Sequence, residues 1–317
     1  MRSMLFCAAL ALLSGTHALA QQFPSRPIVI ITPFAPGGPV DFIARATADK
    51  LGPALGHVIV ENRPGAGGYI GGEFVARAAP DGYTLLCNVL EGVHTQLFTK
   101  DQPVVLAHEL TAFAEIAFAP NMYIGPAAGA KNLREFIAAA KSNPKSVNAS
   151  LIPGNVSALE TLNFLKQQGL DVLAVPYNSM APVVTALARG EVQLYLATVG
   201  SAKPFIDGGR VRGLAVFSEQ RLPAVPDVPT LKEQGLNYSI IDGINYSLFA
   251  PLKTPASITR LLNEKVVAAM QTTDLRELLA KQGFVVGTPS AEQWQAKFTS
   301  LTQAVEKAAK DYGIVPQ

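Results

Sequence analysis

Short apolar runs and amphipathic segments alternate along the first third of the chain. Residues 28–32 read IVIIT, a β-branched run typical of a strand covered on both faces. The apolar positions that follow recur at helical spacing as far as Leu51, and that helix ends near Gly56. Further elements are predicted in the order strand, helix and strand, over 57–60, 71–78 and 83–87. This βαβαβ order predicts right-handed crossovers and a parallel sheet.

A second unit of the same kind begins after Pro120. It again alternates helical patterns with short apolar runs, and Pro-rich residues 221–230 predict an ordered surface crossing. The predicted helices cover 133–141, 157–168, 180–189 and 201–206, and the predicted strands cover 147–151, 172–175, 193–197 and 211–217.

The C-terminal part is mostly helical. The pattern predicts helices over 257–271, 275–281 and 291–309, with one short strand over 284–286. These helices have no sheet of their own, so we expect them to return and cover the first unit.

The chain would then cross between two lobes twice, near 121–126 and 242–248. We therefore predict an α/β protein of two domains, with a ligand cleft between them and a hinge at the two crossings. The predicted bounds are residues 21–122 with 246–317 for domain 1, and 123–245 for domain 2.

Residues 1–20 read as a secretory signal peptide. Arg2 precedes a short apolar stretch over 4–13, and Ala18-Leu19-Ala20 places small residues at a cleavage site. The apolar stretch is too short to span a bilayer, and no later segment has eighteen uninterrupted apolar residues. The sequence therefore predicts a protein exported to the periplasm and not embedded in the membrane.

The charge balance argues against two classes of binding partner, and the cysteine content argues against a reactive thiol. The chain carries 26 Lys and Arg beside 24 Asp and Glu, without a basic run, so neither nucleic acid nor an anionic membrane surface is indicated as a partner. Of the two cysteines, Cys7 falls in the signal peptide, and Cys87 lies in an apolar setting that favours a buried core thiol.

Two loops between a strand and a helix are candidates for anion binding. Residues 33–39, PFAPGGP, would bring backbone N–H groups and a helix N-terminus to a ligand, with Asp41 in the first helical turn. A plain tight turn is the equally weighted alternative. In the second lobe, Gly154-Asn155-Val156-Ser157 occupies the equivalent place. There Ser157 and Glu160 match a capping box, while Asn155 stays available to an anion.

Enzyme signatures do not emerge. The glycines at 65 and 67 fit only part of a dinucleotide-binding motif, and neither a P-loop nor a nucleophile elbow occurs. His57, His94 and His108 lack the spacing of zinc ligands. His94 follows a strand end that faces the predicted cleft, although a satisfied loop histidine is the more common case. We expect a binding protein with no catalytic residues, no cofactor and no metal.

The chain resembles the solute receptors of tripartite tricarboxylate transporters, the Bug family. Long stretches across almost the whole chain carry the resemblance: 24–41, 58–72, 78–86, 175–194, 210–236 and 248–255. It implies a two-lobed periplasmic binding protein fold, type II-like, and the alternation of strands and helices in both units predicts two parallel-dominated sheets. It also implies capture of a small organic anion, such as a di- or tricarboxylate, an amino acid or an aromatic acid, for membrane permease subunits.

By this resemblance, the two loops would clamp a carboxylate, and other strand ends and turns would line the remaining walls. The implied ligand-binding residues are Phe34, Ala35, Pro36, Gly37, Gly38, Pro39, Asp41, Asn88, Glu91, Gly154, Asn155, Val156, Ser157, Tyr177, Asn178, Ala197, Thr198 and Tyr246.

Some positions depart from the family pattern. Ala197, followed by Thr198, stands where an acidic residue usually ends the strand, and Asn245 stands where a Trp often precedes the aromatic residue. The second-lobe loop is one residue longer and has Val156 where a small residue is usual. Glu91 adds a negative charge that would suit an amino, amide or ring nitrogen on the ligand.

Two rival functions stay open. A ligand-loaded receptor that signals to a sensor kinase would use the same cleft, and an exported hydrolase or isomerase is the alternative from another class. No heptad pattern is present, so a monomer is the default expectation.

Overall fold

The computed structural model describes residues 23–95, 97, 102–143, 147–153, 155–237 and 240–312. The predicted signal peptide lies outside these residues. Within them, no helix has both the length and the apolar character needed to cross a membrane.

The first group of strands is parallel, as predicted. Strand β1 (Ile28–Thr32) pairs on one side with β2 (Val58–Asn62) and on the other with β3 (Thr84–Val89). The connecting helices are α1 (Pro39–Leu55) and α2 (Tyr69–Ala76), and α3 (Leu90–Thr95) and α4 (Leu106–Glu109) follow β3.

A strand of 17 residues, β4 (Leu110–Pro126), joins the two halves of the molecule. Up to Pro120 it pairs with β9 (Gly243–Pro251), which also pairs with β3. From Asn121 onward it pairs with strands of the second half. The two predicted crossings are therefore the neighbouring strands β4 and β9.

The second half contains strands β5 (Asn148–Leu151), β6 (Leu173–Pro176), β7 (Tyr195–Thr198) and β8 (Val211–Val216). Strands β5 and β6 are parallel, whereas β7 and β8 both pair with β4. The helices of this half are α5 (Leu133–Ser142), α6 (Val156–Gln167), α7 (Met180–Ala188) and α8 (Val199–Asp207).

The prediction of two parallel-dominated sheets is corrected by the structure, in which a mixed sheet of seven strands has the order β2-β1-β3-β9-β4-β7, with β8 also beside β4. Every pairing made by β4 or β9 is antiparallel. An apolar run shows that a strand is buried on both faces, but it does not show the direction in which the strand runs. The sequence therefore predicted where the chain crosses between the halves, but neither the length of β4 nor the direction of β4 and β9.

The C-terminal helices are α9 (Ala256–Met270), α10 (Thr273–Lys281) and α11 (Ala291–Asp311). Helix α9 packs on α1 and β4, and α11 packs on β4, α3 and α6. They return to the first group of strands, as expected. The strand predicted at 284–286 is wrong, since Val285 makes only an isolated antiparallel bridge to Phe118. The chain turns at Gly283, where φ is +80°, and pairs at that single position.

In the first half of the molecule, the core lies on both faces of the sheet formed by β1, β3, β9 and the first part of β4. Neighbouring residues of β1 point to opposite faces, so Ile30 packs with α1 and α9 while Ile31 packs with Trp294 and Phe298 of α11. Cys87 is fully buried in the first of these clusters, as predicted, and burial raises the pKa of its thiol. This two-sided coverage explains the continuous apolar strands of the sequence.

Candidate functional site

Two adjoining cavities lie where the two halves of the molecule meet. Their volumes are about 480 and 460 Å³, and both are lined by Thr198, Ser201 and Ile244. We call the larger one the inner cavity and the smaller one the outer cavity, and together they form the cleft. The crossing strands supply its floor, with Asn121 from β4 in the inner cavity and Tyr246 from β9 in the outer one.

The N-terminus of α1 borders the outer cavity through Gly38 and Pro39. Gly38 is the N-cap of this helix and forms no side-chain capping hydrogen bond. Free N–H groups and the helix dipole make such an end favourable for a negatively charged group.

Asp41 shapes the loop that leads into α1. Its carboxylate accepts hydrogen bonds from the Gly37 N–H (3.0 Å), from Arg45 Nε (3.1 Å) and from Asn62 Nδ2 (2.8 Å). The Arg45 hydrogen bond is the largest contribution that lowers the pKa of Asp41 to about 2. Asp41 is buried and lines neither cavity, and it connects the loop to Arg45 of α1 and Asn62 of β2. Sequence reasoning missed its partner Asn62, the last residue of β2, which pairs with Thr32 at the end of β1.

The N-terminus of α8 borders both cavities. Thr198 is its N-cap and accepts a hydrogen bond from the Ser201 N–H (3.4 Å). The two hydroxyl groups are 2.8 Å apart, and Ser201 Oγ also lies within hydrogen-bonding distance of the Thr198 carbonyl oxygen. Ser201 was not predicted, although a hydroxyl residue three positions after a Thr at a strand end is a recognisable capping pattern.

The N-terminus of α6 borders the inner cavity through Asn155 and Ser157. Asn155 is the N-cap and accepts a hydrogen bond from the Ser157 N–H (3.4 Å). The predicted capping box of Ser157 and Glu160 is wrong, because the helix begins one residue after Asn155 and Ser157 already lies inside it. Gly154 lies outside the described residues.

Glu160 instead holds the chain just before β9. It is fully buried, and its Oε2 accepts hydrogen bonds from the N–H groups of Ile240 (2.5 Å) and Ile241 (3.1 Å). Glu160 therefore connects α6, whose first turn lines the cleft, to the segment that leads into β9.

Glu91 supplies the one carboxyl group among the described residues that line the cleft, and none of these residues is Lys, Arg or His. Its carboxylate accepts hydrogen bonds from the Asn245 N–H (3.1 Å) and from Asn245 Nδ2 (2.8 Å). Burial is the main cause that raises the pKa of Glu91 to about 7. The carboxyl group therefore changes protonation near neutral pH.

The remaining predicted site residues divide between cleft and surroundings. Gly37, Gly38, Pro39, Glu91, Asn155, Ser157, Ala197, Thr198 and Tyr246 line one or both cavities. A second set lines neither cavity: Phe34, Ala35, Pro36, Asp41, Asn88, Val156, Tyr177 and Asn178. Their role in ligand binding stays a prediction.

Members of the second set have other surroundings. Val156 and Asn88 are buried, and Asn88 accepts a hydrogen bond from the Val89 N–H at 2.8 Å. His94 is also buried, where its ring nitrogens contact Leu90 O and Thr302 Oγ1, both at 2.8 Å. Asn88 and His94 therefore have hydrogen-bond partners within the protein.

Apolar side chains complete the cleft. Phe42, Phe284 and Tyr246 line the outer cavity, and Tyr246 and Phe284 form an edge-to-face pair with ring centroids 5.3 Å apart. Tyr195 and Ile241 line the inner cavity. The site therefore combines helix N-termini and hydroxyl groups with apolar walls, which suits a small organic anion with a carbon skeleton.

Comparison with known proteins agrees with this geometry. Residues 43–310 match the sequence model of a protein family, the tripartite tricarboxylate transporter family receptor. The chain is 32% identical, over 97% of its length and 94% of the relative's, to the UPF0065 protein in the tcbD-tcbE intergenic region of Pseudomonas sp. strain P51.

Two solved structures are similar over almost the whole chain. One is a TctC solute binding protein from Polaromonas, with a TM-score of 0.80 and 25% identity over 91% of this chain and 99% of that one. The other is R. palustris Rpa4515 with adipate, with a TM-score of 0.71 and 28% identity over 93% of this chain and 100% of that one.

Proposed function

Since the chain belongs to the tripartite tricarboxylate transporter receptor family, and is thus a solute-binding receptor, we propose that it captures a small organic carboxylate in the cleft described above. The observation that carries the proposal is that the N-termini of α1, α6 and α8 each border one or both of two adjoining cavities, which share Thr198, Ser201 and Ile244. A structural relative contains adipate, an acid of the proposed class.

The carboxylate is placed in the outer cavity, between the N-terminus of α1 and the hydroxyl groups of Thr198 and Ser201. Backbone N–H groups and helix dipoles stabilise a negative charge without a cationic side chain. Asp41 keeps the α1 loop in shape by binding Gly37. The carbon skeleton then packs against Phe42, Ile244 and Phe284.

Ligand binding is proposed to bring the two domains closer together across the cleft. Strand β4 changes partners between Pro120 and Asn121, and β9 begins at Gly243. These positions support domain bounds close to residues 122 and 245. A ligand that contacts α1 on one side and α8 on the other stabilises a closed arrangement of the two domains.

Receptors of this kind deliver a ligand and do not transform it. We propose that the protein works in the periplasm, binds without turnover, and passes its ligand to the membrane permease subunits of a tripartite transporter. Recovery of chemically unchanged adipate after long incubation supports this part of the proposal, and formation of any product contradicts it.

The test of binding is a thermal-shift titration of the protein after unfolding and refolding, which removes any ligand acquired during expression. Adipate, glutarate, succinate and malate form the panel, with adipamide and 1,6-hexanediol as uncharged controls. A ligand at about one hundred times its dissociation constant stabilises a protein by about 2.7 kcal/mol. A shift with an acid but with neither control supports the proposal, and absence of a shift with every acid contradicts it.

The Ser201→Ala variant locates the site. It removes a hydroxyl group that lines both cavities but leaves the Thr198 oxygen that caps α8. We expect its dissociation constant for the bound acid to rise about tenfold, with little change in stability. Ser142→Ala, on the exposed end of α5, is the matched control and should bind like the wild type.

A further inference from the structure

Asn121, a residue of the cleft wall, carries a buried side-chain hydrogen-bond donor that the protein leaves unused. Asn121 is only 3% exposed, and its Nδ2 has no hydrogen-bond partner in the structure. The residue lines the inner cavity together with Asn155 and Ser157.

The backbone of Asn121 is fixed from several sides. Its N–H donates to the Asp242 carbonyl (2.9 Å), and its carbonyl accepts from the Phe217 N–H (2.8 Å). Thr198 is its partner across the β4–β7 pairing, so Asn121 lies beside the N-cap of α8. The side chain is therefore held at the junction of the two halves, where a ligand in the cleft meets both.

A buried amide nitrogen without a partner is unfavourable, and the great majority of buried polar atoms in proteins are hydrogen-bonded. An apolar residue at this position would avoid that cost. A bound ligand that accepts a hydrogen bond from this nitrogen would remove the cost and would explain why a polar residue stands at the wall of a binding cavity.

We infer that Asn121 Nδ2 donates a hydrogen bond to a second oxygen of the bound acid, in the inner cavity, and thereby selects acids that carry two oxygen functions. The inference rests on the proposed function, which places the first carboxylate of the same ligand in the outer cavity. Asn121 is then a specificity-determining residue: it discriminates a diacid from the monoacid of equal length.

The test compares acids that differ only in the second oxygen function. The probes are adipate with hexanoate, glutarate with pentanoate, and succinate with butyrate, and the measurement is isothermal titration calorimetry. The wild type should bind the diacid of its preferred chain length more tightly than the matching monoacid. In Asn121→Leu, which keeps the size but removes the donor, this preference should fall about tenfold.

Asn121→Asp replaces the donor by an acceptor and should weaken diacid binding further, because two carboxylates would then face each other. Asn237→Leu and Asn237→Asp, at an exposed position away from the cleft, are the matched controls and should keep the wild-type preference. The ligand-free Asn121→Leu variant should melt no earlier than the wild type, since no hydrogen bond from Nδ2 is lost.

NMR provides a measurement on the wild type that does not depend on the folding of any variant. The side-chain amide signals of Asn121 should shift when the preferred diacid is added and should shift less with its monoacid. An unchanged diacid preference in both Asn121 variants, or an equal loss for both acids, overturns the inference while leaving the proposed function standing. Absence of binding of every acid to the wild type refutes the proposed function, and the inference with it.

Discussion

Glu91 and Asn245 form a two-point contact between α3 and β9, in which the backbone N–H and the side-chain Nδ2 of Asn245 both donate to the Glu91 carboxylate. The Oδ1 of Asn245 accepts from Lys297 Nζ at 3.1 Å, which fixes the orientation of the amide. In the sequence, Glu91 stood out as an added negative charge and Asn245 as a departure from the family pattern, with no connection between them. The structure shows that they are a pair, and that this pair links the cleft to α11.

Stability should fall as the pH rises from about 4.5 to about 7. Burial raises the pKa of Glu91 to about 7, so the unfolded chain releases this proton at a lower pH than the folded protein does. The stabilisation is complete below the unfolded pKa and is lost as the pH passes through the folded pKa. Glu91 alone accounts for up to about 3 kcal/mol. Urea unfolding at pH 5 and pH 8 measures the difference.

The matched variants for this prediction are Glu91→Gln and Glu115→Gln. Burial also raises the pKa of Glu115 to about 7, with Lys297 opposing the shift. Each variant should reduce the pH dependence, and the double variant should remove most of it. A pH dependence that survives in the double variant would show that other groups are responsible.

Replacement of Asp41 should destabilise the protein at neutral pH. Its pKa is lowered to about 2 by Arg45, so its stabilisation is present above the unfolded pKa and is lost as the pH falls through the folded one. We expect Asp41→Asn to cost about 2 kcal/mol at pH 7 in urea unfolding, with weaker binding of acids. The exposed Asp49→Asn on the same helix is the control. Equal effects at the two positions would contradict a special role for Asp41.

The contact of Glu160 with the segment before β9 should appear in hydrogen exchange. Glu160→Ala leaves the N–H groups of Ile240 and Ile241 without this acceptor, which should cost about 3 kcal/mol and speed the exchange of both amides. Mass spectrometry of the exchanged protein measures the change. The exposed Glu264→Ala, on α9, should leave these amides as they are.

Gly243 marks a close approach of the two crossing strands. A Cβ at this position would lie 2.4 Å from the Ala119 carbonyl oxygen and 2.5 Å from the Phe118 ring. Gly243→Ala should therefore cost about 2 kcal/mol or more. A Cβ at Gly52, inside α1, has nothing within 4 Å, so Gly52→Ala should stabilise by about 0.5 to 1 kcal/mol. The melting temperature should fall for Gly243→Ala and rise for Gly52→Ala.

Periodicity was sufficient for most of the fold. Most helices and the short strands were predicted within a few residues, because each apolar stripe faces a core on a covered sheet. The long strands β4 and β9 were expected only as crossings of the chain, and the short helices α3 and α4 were not predicted. The direction of β4 and β9 was not predictable from a run such as FAEIAFA, since strands of either direction look alike when both faces are buried. The bridge at Val285 depends on one residue pair, which leaves no periodic signal.

The site was predictable where a loop precedes a helix. The loop ending at Pro39 and the one ending at Ser157 were found in this way, and both reach the cleft. Asn121 and Ser201 were missed because their roles arise from the meeting of two halves that are distant in sequence. Asn121 is one of three polar residues in the mostly apolar strand β4, beside Thr111 and Glu115, and nothing local in the sequence sets it apart from them.

The arrangement of the strands also has a consequence for the order in which the molecule is completed during synthesis. Strand β9 lies between β3 and β4, although almost 120 residues separate it from β4 along the chain. Residues 121–236, which include β5 to β8, emerge from the ribosome before β9 does. The second half therefore has its own strands available while β3 still presents an unpaired edge, which is a site of wrong pairing and aggregation. The edge of β3 therefore stays open to wrong pairing until the C-terminal quarter of the chain has been made.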